Sequence, residues 1–100
     1  MPNQAFVELL TDLHRSIDRV AEELVRDRPA LAAALRQRAS WIPRPEEVVD
    51  PPRPPANEAC RAIPPLLYDA LDAGAIDGAK FDALMITQKR ARDALAARAR

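Results

Sequence analysis

The chain has 100 residues, and fifteen Lys and Arg balance fifteen Asp and Glu to a formal net charge of +0. Twenty residues are Ala, only 4% are aromatic, and no apolar run approaches the roughly 20 residues that a membrane span needs. One Cys excludes an internal disulfide and a Cys-based zinc site, and one His excludes most His-rich metal chemistry.

A core built from Ala and eleven Leu has little large apolar area to bury. That composition predicts a marginal monomer, or a homodimer that borrows core from its partner. No charged n-region followed by an apolar h-region opens the sequence, which predicts a cytoplasmic chain. Thirteen of the fifteen basic residues are Arg. With the Ala excess, that bias points to a GC-rich bacterial or phage genome rather than to phosphate binding.

Residues 4 to about 26 read as one amphipathic helix. Phe6, Leu10, Leu13, Ile17, Val20 and Leu24 recur at alternating spacings of four and three, an unbroken heptad seam. Asn3 is the expected N-cap. The opposite face carries Asp12, Arg15, Arg19, Glu22 and Arg26. Pro29 then forces a break, because the residue before a proline avoids the α region and Arg28 becomes a corner. A second helix from about Pro29 to Ser40 should turn Leu31, Leu35 and either Ala39 or Ile42 inward.

Residues 43 to 55 hold six prolines and read as an extended, semi-rigid spacer, anchored at its start by Trp41 and Ile42. Its Pro51-Pro52-Arg53-Pro54-Pro55 run also fits a proline-helix ligand, although a stiff linker is the simpler reading. Asn57 could cap a short helix through Ala62, with a kink or fresh start at Pro64 and a helix continuing to about Ala73. Gly74 stands where a left-handed residue would close that helix. Asp77 should cap the last helix, from about Gly78 towards Ala99, and Ile76 should staple to Phe81. The stripe of that helix is Phe81, Leu84, Gln88, Ala91 and Leu95, with Met85 beside it. It thins after Met85, so the final two turns are expected to fray or to need a partner. The expected fold is therefore all-α. Four helices form two pairs (residues 1–42 and 56–100) joined by a proline-rich crossover at 43–55, in one small bundle.

Within residues 66–84, Leu67, Leu71, Ala73-Gly74, Ile76, Asp77, Phe81 and Leu84 resemble, in order, the pattern of the short C-terminal helical hairpin known as the SHOCT domain. The likeness covers about a fifth of the chain and departs after Leu84, where Met85-Ile86-Thr87-Gln88-Lys89 replaces the family's Lys and paired Leu. It implies at most a small helical association module, with no activity and no catalytic residues. A capped and stapled helix after a tight turn would need the same residue types on physical grounds alone.

Candidate chemistry is sparse. His14, with Asp18 one turn on, could be an oriented general base, but a surface histidine flanking the seam is the simpler reading. Cys60 beside Arg61 could be a reactive thiol or a small buried hydrophobe, and the second is commoner. Asp69, Asp72, Asp77 and Asp82 gather around Gly74 without the alternating spacing of a calcium loop. Lys89, Arg90, Arg92, Arg98 and Arg100 make the end of the chain basic and could meet nucleic-acid phosphates, though no aromatic interleaves them.

The sequence thus predicts a non-enzymatic helical protein–protein interaction module, an adaptor, inhibitor or assembly factor, without cofactor, metal or membrane. Its expected mechanism is helix-face packing, in which the seam of Phe6, Leu10, Leu13, Ile17, Val20 and Leu24 buries either the protein's own core or a partner, with a homodimer through this helix as the expected assembly. The alternative is a small nucleic-acid-binding regulator using the basic last helix.

Overall fold

The computed structural model describes residues 4–44, 46 and 60–98. Four helices account for most of them: α1 (Gln4–Leu24), α2 (Pro29–Ser40), α3 (Ile63–Asp72) and α4 (Gly78–Arg98), with no strand among the described residues. The all-α class is as the sequence predicts. Asn3 and most of the proline-rich crossover, Pro51 to Pro55 included, lie outside the described residues.

The packing follows a ring. α1 lies against α2 and α4, and α3 lies against the same two from the other side. Glu23, near the end of α1, pairs with Lys80, near the start of α4, so these two helices of equal length run antiparallel. The carboxylate of Glu23, hydrogen-bonded to the Lys80 ammonium, holds that group above its ordinary pKa.

Local chemistry sets each corner. Arg28 leaves the helical region (φ −136°, ψ 63°) and Pro29 opens α2, where a missing N–H costs nothing. α2 ends in a tightened turn, with Trp41 N–H donating to Arg38 O at 3.1 Å and Ile42 N–H to Ala39 O at 3.0 Å. Cys60 and Arg61 are helical, Ala62 is a turn, and α3 starts at Ile63 with both following prolines in its first turn. α3 closes at Gly74, at φ 70°: Gly74 N–H donates to Leu71 O at 3.0 Å and Ala75 N–H reaches back to Ala70 O at 2.9 Å. These two bonds are the Schellman pattern, and only glycine takes that backbone angle without strain. Asp77 Oδ1 then accepts the Lys80 N–H at 2.7 Å and caps α4.

All six seam residues of α1 are buried, in one cluster with Ala32, Leu35, Ala39 and Ile42 of the α2 region, Cys60, Ile63, Leu67 and Ala70 around α3, and Leu84, Ala91 and Leu95 of α4. Two expectations are corrected. In the first turn of α2 Ala32 is the buried residue, and Leu31 packs against the core only partly buried. The stripe of α4 does not end at Met85: Ala91 and Leu95 are buried within the chain itself, where α4 packs against α1 and α3.

Two polar side chains, His14 and Gln88, are buried among the described residues. Gln88 is only 3% exposed; its Nε2 donates to Met85 O at 3.1 Å, while Oε1 has no hydrogen-bond partner among the described residues. An unsatisfied buried acceptor costs about 1–3 kcal/mol. Gln88→Met keeps the side chain's length and removes that acceptor. The variant should be more stable by about 1 kcal/mol, read as a higher urea midpoint at unchanged slope. Leu13→Asp, in contrast, puts a carboxylate at a fully buried point of the seam and should abolish the cooperative unfolding transition. A helical signal that persists with a normal melting curve would contradict that expectation.

Candidate functional site

The sequence-predicted contact face is not on the surface. Phe6, Leu10, Leu13, Ile17, Val20 and Leu24 are covered by the chain's own α2 and α4, so of the two mates expected for the seam, own core or partner, the chain's own core is the one seen.

The five cations of the last helix do not form one stripe. Lys89 and Arg90 are exposed on the outer face. Arg92 sits on another side, 3.7 Å from Asp93 and close enough to Cys60 to act on its thiol. Arg98 ends α4 and Arg100 lies outside the described residues.

His14 departs from the surface reading. It is 7% exposed, and its Nε2 lies 3.3 Å from Pro43 O. A carbonyl only accepts, so Nε2 carries the proton and the ring ties the start of the proline-rich segment to the middle of α1. A cleft of about 330 Å³ opens beside it, lined by Asp18, Arg36, Ser40 and Arg44 among others. The Ser40 hydroxyl donates to Gln37 O at 2.6 Å, and no hydrogen bond joins Asp18 to the imidazole among the described residues. The groups are neighbours without the nucleophile–base–orienter chain that acyl transfer needs.

Cys60 is fully buried, and burial pushes its thiol from about 9.0 up to about 11, against the lowering pull of Arg92. This is a structural cysteine. Because the folded thiol ionises later than the unfolded one, its contribution is intact below about pH 9 and is lost as pH rises towards 11. The stability of the protein relative to Cys60→Ala should therefore fall across that interval, and a pH-independent difference between the two unfolding curves would refute the assignment.

The four carboxylates around Gly74 are all exposed, and Asp77 is spent on capping. No group of three or more His, Cys, Asp or Glu among the described residues could hold a metal ion. No described helix is long and apolar enough to cross a membrane.

Trp41 also departs from the sequence reading. Ile42 is the buried anchor, at 1% exposure, whereas Trp41 is 49% exposed. Its ring is covered on one face by Arg38, whose guanidinium carbon lies 4.3 Å from the ring centroid. The reason is helical phase: Leu35, Ala39 and Ile42 hold the inward positions, which leaves Trp41 turned outward. Tyr68, also half exposed, rests edge-on against Phe81 at 5.0 Å between ring centroids.

No family profile matches this chain, and no curated protein or solved structure shows significant similarity to it.

Proposed function

We propose that the protein is a helical protein–protein interaction module, an adaptor, inhibitor or assembly factor, that engages its partner through the outward corner at the end of α2. The observation that carries this reading is Trp41, held half in water by a stacked Arg38. Leaving about 100 Å² of indole exposed forgoes about 2 kcal/mol of burial. Trp and Arg are also the residue types that dominate binding energy at interfaces. Arg36, Arg38 and Arg44 crowd the same end of α2, opposed there by exposed Glu46 and Asp18. A partner surface that offers an apolar pocket ringed by carboxylates matches that chemistry. The hairpin of residues 66–84, which resembles a small association module, accords with such a role.

The test compares partners captured from native host extract by the protein and by Trp41→Ala. The side chain lies outside the core, so the variant should keep its helical signal and melting temperature. Its capture of the specific partner should fall by at least tenfold, the loss of about 1.4 kcal/mol or more. Equal capture by the two proteins would remove the corner, and this reading, from consideration.

A further inference from the structure

The outer stripe of α4 carries Ile86, 53% exposed and the one large hydrophobic side chain so exposed on this helix. Asp82 stands one turn before it on the same stripe and Arg90 one turn after, both exposed. Lys89 adds a second cation beyond Ile86, while Ala79 and Ala83 keep the start of the stripe low and uncrowded. Asp82, Lys89 and Arg90 make no ion pair among the described residues, in contrast to Asp93, which faces Arg92.

We propose that this stripe is the contact between two copies of the chain, α4 against α4 in antiparallel register, with Ile86 on the two-fold axis and Asp82 of each copy opposite Arg90 of the other. The argument is the symmetry of the charge pattern. A two-fold axis through position 86 sets position 82 against 90, 83 against 89, and 79 against 93. Acid therefore meets base twice. The long stem of Lys89 lies over Ala83, and Asp93 meets only Ala79, so no like charges face each other. A parallel pairing of the same stripe would set Asp82 on Asp82 and Arg90 on Arg90, which is repulsive. The antiparallel arrangement also places the positive end of each helix dipole beside the negative end of the other.

Few apolar atoms enter such a contact, so the dimer is a weak, salt-sensitive one rather than an obligate one. It owes nothing to the corner at Trp41, which lies on a different helix, and either proposal stands if the other fails.

Sedimentation equilibrium of the full chain, from about 0.05 to 1 mM and at low and high salt, tests it. The mass should climb towards that of two chains with concentration, more steeply at low salt. Asp82→Arg and Arg90→Asp should each weaken association by about tenfold or more, since each sets like charges face to face. The double variant Asp82→Arg/Arg90→Asp should bring association back to within about threefold of the original. Both positions are exposed, so circular dichroism should report the same helical content throughout. A chain that stays monomeric over the whole range, a dimer indifferent to both single changes, or a double variant as weak as the singles would each overturn the proposal.

Discussion

Burial of one apolar ridge on α1 organises this molecule. Phe6, Leu10, Leu13, Ile17, Val20 and Leu24 face α2 on one side and α4 on the other, and none is more than 6% exposed. At about 2 kcal/mol for each buried side chain, the ridge is worth about 12 kcal/mol, an upper figure because unfolded chains already bury some surface. The other helices offer much less. α2 buries two Ala and one Leu, and α4 contributes Leu84, Leu95 and one Ala. Small residues are an advantage here, because they let two helices approach the same ridge closely.

The corners make that arrangement available. A ridge that needs cover from both sides requires the chain to reverse, cross and reverse again. The reversals are written in residues with specific backbone chemistry: Arg28-Pro29, Gly74 with its two back-reaching amides, and Asp77 as a cap. The Glu23–Lys80 pair sits where α1 ends and α4 begins. Exposed as it is, it adds register more than stability. His14 works from within, fixing the exit of α2 to α1 through Pro43 O.

The helix boundaries, the closure at Gly74 and the Asp77 cap could be read from the sequence because their causes are local. Proline, glycine and capping side chains act within four residues, and the period of the α1 ridge is visible without any neighbour. What covers what could not be read in the same way. The ridge fits a second copy as well as it fits α2 and α4. The exposure of His14 depended on where α2 would end, and Trp41 depended on which of two adjacent apolar residues would take the last inward position. Gln88 shows the limit from the other side: its place in the α4 stripe was legible, but its unpartnered carbonyl exists only once α4 has been packed.

With the ridge consumed internally, the contacts proposed above rest on side chains that the core has no room for. Trp41 and Ile86 are both displaced outward by helical phase, Trp41 by the inward claim of Ile42 and Ile86 by that of Leu84. Their settings differ. Trp41 carries the Arg38 guanidinium on its ring, a cation beside an apolar face that suits an unlike partner. Ile86 stands between an acid and a base, a patch that is its own complement when reversed. A surface of one sign repels its own copy, whereas a surface antisymmetric in charge attracts it. Of the four half-exposed large apolar residues, Val25, Trp41, Tyr68 and Ile86, the two proposals use Trp41 and Ile86, and their charged neighbours suit them to different partners.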